Sequence, residues 1–434
     1  MSNITKKKVA FHTLGCKLNF TETSSISRSF PEDQFERVPA GKKADIYIIN
    51  TCSVTDAADK KCKQAIRKFI NQSPDALIAV VGCYAQLRPQ EISSIPGVDL
   101  VLGINEKFDI CRYISGLDKK KKTEVHSSGL SAADNFVHSY SIGDRTRSFL
   151  KVQDGCDYGC SYCTVPLARG RSKNPDIGTL VSEAASIAGK GVKEIVLTGV
   201  NIGDFGKSTG DTFTELLKEL VKVEGIERFR ISSIEPNLLT DELIEFSAGN
   251  KKILPHFHIP LQSGCNRILA LMGRRYKREL FAGRVEMVTK LMPLAGAGAD
   301  IIVGFPGETD ADFEETLTFL EAVPLSYLHV FTFSERPGTR AVKMKGKNTY
   351  EAKERRSKML IALSHKKHDE FLRLNIDKTA DVLFEKTRVN NMITGYTGNY
   401  IRVEYPWQSG LAGQVRRVIL KELSGDNRMS IELI

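Results

Sequence analysis

Three cysteines stand at the spacing CxxxCxxC in the segment that runs from Lys151 to Cys163. They are Cys156, Cys160 and Cys163. Three thiolates on one short loop can each bind one iron of a four-iron cluster, which leaves the fourth iron open to a ligand outside the protein. A redox CxxC pair, a zinc site lacking its fourth ligand, and buried filler are the alternatives. The position of the loop directly after a predicted strand favours the cluster.

Three more cysteines each follow an apolar run that is typical of a buried strand. They are Cys16, Cys52 and Cys83. The carboxyl ends of parallel strands meet at one edge of a sheet, so these thiols can converge on a second cluster. Packing is the alternative for any one of them. Cys62 and Cys111 lack this setting, and we assign them to packing. Cys265 follows the fourth strand of the second series, where both roles stay open and packing is favoured over a ligand role.

The elements that must position Cys16, Cys52 and Cys83 lie in the first part of the chain. Four apolar runs are separated by helical stretches: Val9 to His12, Ile46 to Asn50, Leu77 to Gly82 and Val98 to Leu102. They lack polar alternation, as strands buried on both faces of a parallel sheet do. The sequence therefore predicts a doubly wound α/β domain over residues 1–135, which ends in an exposed linker from about 118 to 134.

The CxxxCxxC loop opens a second series of strands and helices. Six apolar runs alternate with amphipathic stretches between Phe149 and Phe333. A closed eight-fold barrel needs about 250 residues. We therefore predict a partial (βα)6 barrel. Its domain spans residues 136–370 and includes most of a connecting helix, which is predicted at residues 350–375.

Residues 371–434 contain short strand-like runs with Gly and Asn between them, which predict a small all-β barrel. Residues 335–434 hold 20 Lys/Arg and 12 Asp/Glu, a net +8 of the total +10. This excess predicts a polyanionic partner. The candidate phosphate contacts are Lys386, Arg388, Arg402, Arg416 and Arg417, and the candidate rings for bases are Tyr396, Tyr400, Tyr405 and Trp407. A solvated basic surface with core aromatics is the alternative.

The composition of the 434-residue chain is that of a globular protein, with 41% hydrophobic and 26% charged residues. These values exclude wholesale disorder and a fibrous repeat. No apolar run is long enough for a membrane span, and the basic start passes directly into a strand-like segment, so we expect a cytoplasmic protein without a membrane partner. Nine widely spread cysteines do not form the even, dense framework of a disulfide-rich domain.

The CxxxCxxC loop after the first strand of a partial barrel resembles the TIM-type core of the radical S-adenosylmethionine (SAM) superfamily, and the whole chain resembles its methylthiotransferase branch. The resemblance implies that SAM chelates the open iron of a 4Fe-4S cluster at Cys156, Cys160 and Cys163 and is cleaved to a 5′-deoxyadenosyl radical. It also implies a second 4Fe-4S cluster at the other trio, which carries the sulfur to be methylated by one SAM molecule. A second SAM molecule would supply the radical, because an unactivated C–H bond offers no acidic proton and no leaving group.

Other strand ends resemble the cofactor-binding segments of this family. The residues that the resemblance assigns to SAM are Thr198, Gly199, Asn201, Ser233, Glu235, Gln262 and Gly304. Asp300 stands where many members carry glycine. We also predict that Arg169 holds a phosphate or the carboxylate of the cofactor, with a surface salt bridge as the alternative.

The C-terminal barrel resembles a TRAM domain, which binds RNA. The stretches Thr13 to Asn19 and Thr51 to Thr55 resemble the subgroup that places methylthio on C2 of threonylcarbamoyladenosine (t6A) in tRNA. The implied partners are a tRNA anticodon stem-loop, an electron donor and a sulfur source, and the adenosine must turn out of its stack. The alternatives are the isopentenyladenosine tRNA subgroup, the subgroup that modifies an aspartate of a ribosomal protein, and a non-enzymatic Fe-S RNA-binding factor.

Overall fold

The computed structural model describes residues 6–115, 119, 122–130, 136–143, 145–424 and 427–434. The chain forms an α/β region, a central partial barrel and a small C-terminal β-barrel, joined in that order. The predicted fold class is therefore confirmed.

The N-terminal region is a six-stranded parallel sheet with helices on its faces. Its strands are β1 (Lys7–Thr13), β2 (Phe35–Val38), β3 (Ile46–Thr51), β4 (Leu77–Gly82), β5 (Leu100–Leu102) and β6 (Glu124–His126). Its helices are α1 (Lys17–Arg28), α2 (Asp56–Gln72), α3 (Cys83–Leu87), α4 (Pro89–Ser93) and α5 (Ile110–Ile114). The strand order is β2-β1-β3-β4-β5-β6. The order reverses direction between β1 and β3, and a crevice forms at such a switch point.

Two strands of this sheet were not predicted. β2 and β6 are the edge strands, and none of their residues is buried, so neither carries a continuous apolar run. β6 lies inside the segment predicted as an exposed linker, and that part of the prediction is wrong. The remaining boundary prediction, at residue 135, and the stretches 116–118 and 120–121 lie outside the described residues.

The central region contains the six predicted strands in sequential order. They are β7 (Ser148–Lys151), β8 (Glu194–Thr198), β9 (Arg228–Ile231), β10 (His256–His258), β11 (Gly296–Val303) and β12 (Tyr327–Thr332). The helices are α6 (Val165–Arg169), α7 (Ile177–Ala188), α8 (Phe213–Leu220), α9 (Asp241–Gly249), α10 (Asn266–Met272), α11 (Arg278–Leu291) and α12 (Asp310–Ala322). Parallel bridges connect the sheets β7-β8-β9 and β10-β11-β12. Within the described ranges β7 and β12 do not pair, and α1 packs against β7 at this open side.

The interior of the partial barrel is polar. Phe229 and Ile231 of β9 pack into the main hydrophobic core under the helices. Alternation along the strand turns Arg228 and Arg230 to the opposite face. Both guanidiniums contact the buried carboxylate of Glu194, at 2.8 and 2.9 Å. Each of these buried charges therefore has a partner of opposite sign.

The C-terminal region follows a long helix, α13 (Tyr350–Leu374), which packs against β12. Five strands close into a barrel: β13 (Thr379–Val389), β14 (Met392–Thr397), β15 (Arg402–Pro406), β16 (Val415–Ser424) and β17 (Arg428–Leu433). β14 was not predicted. It pairs with β13 across a tight turn at Asn390 and Asn391, both with positive φ, which is the geometry that asparagine tolerates in hairpins. None of the described helices is long and apolar enough to cross a membrane.

Candidate active site

The first cysteine trio lies at the switch point of the N-terminal sheet. Cys16 and Cys52 follow the adjacent strands β1 and β3, and Cys83 begins α3 directly after β4. Gly15 has φ +109°, and a Cβ there would lie 2.5 Å from the Cβ of Cys52. Only glycine therefore allows the loop after β1 to approach the loop after β3 this closely.

Asparagine side chains hold these loops together. The Asn19 amide donates to the carbonyl oxygens of Leu14, at 2.8 Å, and Thr51, at 3.0 Å. The Asn50 amide donates to the carbonyl oxygen of Asn19, at 3.0 Å. Buried bonds of this kind are costly to break because they leave polar groups unpaired. The positions of Cys16 and Cys52 are consequently fixed relative to each other.

The protein alone keeps the thiols of Cys52 and Cys83 protonated. Burial, followed by the neighbouring thiols of Cys83 and Cys16, raises the pKa of Cys52 to about 12. Burial also raises the pKa of Cys83, although the Arg169 and Lys107 cations act against it. Thiolates at this site require additional positive charge, which a bound iron cluster provides.

The second trio is on the loop after β7. Gly155 has φ +69°, and a Cβ there would lie 2.0 Å from the carbonyl oxygen of Arg171, so the loop folds tightly before Cys156. Burial is the largest influence that raises the pKa of Cys156 to about 12 and that of Cys163 to about 11, and it also raises the pKa of Cys160.

Each sulfur of the second trio accepts a hydrogen bond. The backbone N–H of Tyr158 donates to Cys156 Sγ and that of Val165 to Cys163 Sγ, both at 3.4 Å. Arg274 Nη1 donates to Cys160 Sγ at 3.2 Å. Hydrogen bonds to ligating sulfurs help to set the reduction potential of iron-sulfur clusters. Donors aimed at all three sulfurs fit a cluster-binding loop better than buried filler.

The spacing of the thiols disfavours zinc. Across the described ranges, one set of three His, Cys, Asp or Glu ligand atoms lies within 4.8 Å of one another, and it contains no cysteine. Two sulfurs on one zinc ion lie at most about 4.6 Å apart, because each Zn–S bond is about 2.3 Å. Neither trio therefore has the spacing of three ligands on one ion, which a cluster that takes one thiolate per iron does not require.

The loops that carry the two trios contact each other. Thr164 Oγ1 donates to the carbonyl oxygen of Ser53 at 3.3 Å, and these residues directly follow Cys163 and Cys52 in the sequence. The helix α3, which begins at Cys83, also packs on α6, the helix just after the CxxxCxxC loop. The structure thus brings together two sets of thiols that the sequence could assign only to separate domains.

Arg169 does not have the predicted role. Its side chain is buried, and its guanidinium donates to Glu22 at 2.8 and 3.1 Å, to Asp154 at 3.0 Å and to Asn19 at 2.9 Å. It is therefore not free to hold a phosphate or the cofactor carboxylate, and it is not a surface salt bridge. The prediction is wrong because two carboxylates buried at the domain boundary require a cation.

Two lysines complete this buried network. Lys107 Nζ lies 2.6 Å from Glu22, and Lys151 Nζ lies 2.7 Å from Asp154. With Arg169, three cations face two carboxylates, which leaves one positive charge in excess. That excess opposes the burial that raises the pKa of Cys83, because Arg169 and Lys107 act against it.

The strand ends assigned to SAM contain buried polar atoms without partners. The amide oxygen of Asn201 and the hydroxyl of Ser232 are buried, and no described residue bonds to either. Asn201 follows β8, and Ser232 follows β9. Buried polar atoms are rarely left unsatisfied. A polar ligand at the carboxyl ends of these strands fits the observation, and Thr198 is buried at the same edge.

Glu235 is engaged with a residue that the sequence analysis missed. Its carboxylate accepts a hydrogen bond from Arg274, which also contacts Cys160. Burial raises the pKa of Glu235, although the guanidinium of Arg274 acts against this shift. Arg274 therefore couples the cluster loop to the third strand end. A single arginine in the run Gly-Arg-Arg gave no signal of this in the sequence.

The remaining predicted cofactor residues show mainly backbone roles. A Cβ on Gly199 would lie 2.9 Å from Gln153 Oε1, and the Gly304 N–H donates to Glu308 at 2.6 Å. Gln262 has a positive φ of 72°, and Ser233 forms a bridge with His258. Their predicted contacts with SAM stay predictions.

A histidine cluster inside the barrel was also missed. Asp300 accepts from His258 Nε2 at 2.9 Å and lies 3.3 Å from His329 Nδ1. The Tyr327 hydroxyl lies 3.2 Å from His258 and 3.0 Å from His256. Single histidines on separate strands have no spacing in the sequence that could reveal this cluster. Asp300 therefore contacts two histidines of neighbouring strands.

Four of the five predicted RNA-binding cations lie on the surface of the C-terminal barrel. Lys386, Arg388, Arg416 and Arg417 are exposed, and Arg402 is partly buried. The aromatic prediction is wrong for Tyr396 and Tyr400, which stack on each other at 5.1 Å under the guanidinium of Arg147. Tyr405 and Trp407 pack against the barrel core.

Comparison with known proteins agrees with this fold and site. Residues 8–103 match the uncharacterized protein family UPF0004, and residues 150–320 match the radical SAM superfamily. The solved structure of the radical S-adenosylmethionine methyltransferase TsrM from Kitasatospora setae, with cobalamin and a 4Fe-4S cluster bound, has a TM-score of 0.57 at 14% identity and covers 78% of this chain and 77% of that one. The fold and the CxxxCxxC loop together define a radical SAM enzyme.

Relatives of higher sequence identity show to which family of radical SAM enzymes the chain belongs. The chain is 41% identical over 422 residues to the threonylcarbamoyladenosine tRNA methylthiotransferase MtaB of Bacillus subtilis, covering 95% of this chain and 94% of the relative. It is 34% identical over 429 residues to the tRNA-2-methylthio-N(6)-dimethylallyladenosine synthase of Syntrophus aciditrophicus, covering 96% and 92%. The chain belongs to the radical SAM methylthiotransferase family, as the resemblance predicted.

Proposed function

We propose that this protein is a tRNA methylthiotransferase that places a methylthio group on C2 of t6A next to the anticodon. The observation that carries the proposal is the contact between the loops that bear the two trios, through Thr164 and Ser53 and through the packing of α3 on α6. A reaction that moves sulfur to an unactivated carbon needs the sulfur and the radical source close together. The name and high coverage of the Bacillus subtilis relative support t6A as the acceptor.

Each trio has its own part in this reaction. Cys156, Cys160 and Cys163 would hold one 4Fe-4S cluster, and the other trio would hold a second. When bound, these clusters and SAM would supply the radical, the methyl group and the sulfur. The chain's own residues position and shield them: Gly15 and Asn19 fix the first trio, and the N–H donors described above orient the sulfurs of the second.

The proposal includes partners that are not part of this chain. An external electron donor must reduce the cluster of the second trio, and a sulfur source must restore the sulfur that leaves with each product. The acceptor adenosine must turn out of its stack, because the trios lie at buried strand ends. We place this work in the cytoplasm, together with tRNA.

Nucleoside analysis tests the acceptor. The purified, anaerobically reconstituted protein is incubated with SAM, a reductant and two anticodon stem-loops, one bearing t6A and the other isopentenyladenosine. The proposal predicts the methylthio form of t6A by mass spectrometry. Methylthio transfer only to isopentenyladenosine would assign the protein to the other tRNA subgroup, and transfer to a ribosomal protein aspartate with unmodified tRNA would overturn the proposal. Absence of SAM cleavage would leave the non-enzymatic RNA-binding factor.

The C-terminal barrel gives a separate prediction on RNA binding. Replacing Lys386, Arg388, Arg416 and Arg417 with alanine should weaken tRNA binding and reduce the steepness of its salt dependence. Each lost phosphate contact should lower the slope of log K against log salt by about 0.7 to 0.9. Filter binding at salt concentrations between about 50 and 200 mM measures this slope, because the affinity of such complexes changes strongly over that range. An unchanged slope would place the tRNA elsewhere.

A further inference from the structure

One lysine in the cleft beside the first trio has no partner. Lys17 directly follows Cys16 at the start of α1. Its side chain still reaches solvent, yet desolvation is the largest influence on its pKa and lowers it. A side chain with both properties lies in a deep cleft that water can enter. The structure gives its ammonium group no hydrogen bond and no ion pair with any described residue.

The groups around Lys17 come from three parts of the molecule. Electrostatic interactions link it to Cys16 of its own domain, to Arg147 and Arg230 of the barrel region, and to Tyr400 of the C-terminal barrel. Arg230 lies 4.5 Å from the ring of Tyr400. Burial, followed by Arg230, lowers the pKa of His256, and Lys17 acts in the same direction.

The charges in this group do not balance. Arg147, Arg228 and Arg230 share the carboxylate of Glu194, and Arg147 has a second partner, Glu385, at 3.4 Å. With Lys17 there are four cations and two carboxylates, a net charge of +2.

The nearby carboxylate of Asp300, which accepts a hydrogen bond from His258, lowers this excess to +1 but does not remove it. Charges taken out of bulk water are normally paired. The excess positive charge therefore indicates an anionic ligand, and Lys17 is the cation with a free donor to bind it.

We propose that Lys17 binds the carboxylate of the threonylcarbamoyl group and thereby selects t6A over adenosines with neutral N6 substituents. This assignment rests on the proposed function. The sulfur acceptor must approach the first trio, and Lys17 is the residue next to Cys16. The t6A base carries its own carboxylate to this place, whereas a dimethylallyl group has no charge and would leave the lysine unpaired and desolvated. Discrimination of this type is large because the unpaired polar group is costly.

The test compares two substrates that differ only in this charge. One anticodon stem-loop carries t6A and the second carries its methyl ester. In the Lys17→Met variant, which keeps the length of the side chain, the Kd and KM for t6A should rise about ten- to a hundred-fold, the range expected for losing one charge-assisted hydrogen bond. The ester should bind wild type and variant with similar affinity. Iron and sulfide content should match the wild type.

Lys43→Ala is the matched control. Lys43 is an exposed lysine of the same domain, on the loop before β3 and at the opposite end of that strand from Cys52, so its loss removes one charge without changing the cleft. Its Kd for t6A should remain that of the wild type.

Each other outcome has a defined meaning. If Lys17→Met weakens acid and ester equally, Lys17 contacts an RNA phosphate or the cofactor and the assignment is overturned. Unchanged affinity for t6A overturns it as well. If the wild type and Lys17→Met modify t6A equally well, this inference alone is overturned. If the wild type never modifies t6A, the proposed function and the inference are overturned together.

Discussion

Replacing Cys16, Cys52 and Cys83 together with alanine is expected to abolish methylthio transfer while SAM is still cleaved to 5′-deoxyadenosine. The second trio stays intact in this variant, so radical formation should continue without a sulfur to deliver. Iron should fall from about eight to about four atoms per chain, as expected for two four-iron clusters. Iron and sulfide assays, with quantification of 5′-deoxyadenosine and of the modified nucleoside, measure all three quantities.

Cys111→Ala provides the control for this experiment. Cys111 is half-buried and its thiol donates to the backbone oxygen of Ser29, away from the sheet edge that carries the trio, so iron and transfer should be unchanged. Retained methylthio transfer in the triple variant would show that the sulfur comes from another place. An iron count that stays near eight would show that the three thiols do not hold a cluster.

Replacing Arg169 with methionine is expected to lower the free energy of unfolding by about 3 to 5 kcal/mol, the usual cost of removing one partner of a buried ion pair. The carboxylates of Glu22 and Asp154 are fully or almost fully buried, so neither can recover its energy by contacting water. Lys107 and Lys151 remain, but they do not reproduce the two-sided contact of the guanidinium. Anaerobic urea unfolding of the reconstituted protein measures the change.

Arg171→Ala is the matched control for Arg169. Its guanidinium is 77% exposed and lies 3.5 Å from Asp157, and exposed pairs of this kind contribute about 1 kcal/mol or less. Near-native stability of Arg169→Met, combined with loss of SAM binding, would instead support the cofactor contact that the sequence suggested.

The sequence predicted the cysteine sites because their signals are local. The spacing CxxxCxxC is contained in eight residues, and Cys16, Cys52 and Cys83 each follow an apolar run whose end is visible in the sequence. The rules for parallel sheets then bring strand ends to one edge. The edge strand β2 could not be predicted, because its residues FERV form no apolar run.

The partners of buried charges could not be predicted. Arg169 pairs with Glu22, which is 147 positions away in the sequence, and nothing near either residue marks the other. Tyr400 shows the same limitation. Its ring was predicted to be free for a base, but contacts with Arg147 and Arg230, from the barrel region, occupy it. Interactions between domains depend on how whole domains dock, which periodicity and spacing do not encode.

The helix α1 closes the open side of the barrel and also carries Cys16 and Lys17 at its first turn. The N-terminal domain consequently covers one side of the barrel, and the barrel expressed alone would lose Glu22 as the partner of Lys151 and Arg169 and expose both cations to bulk water. Neither half is a self-sufficient module. Cutting the chain between them should therefore destabilise both halves.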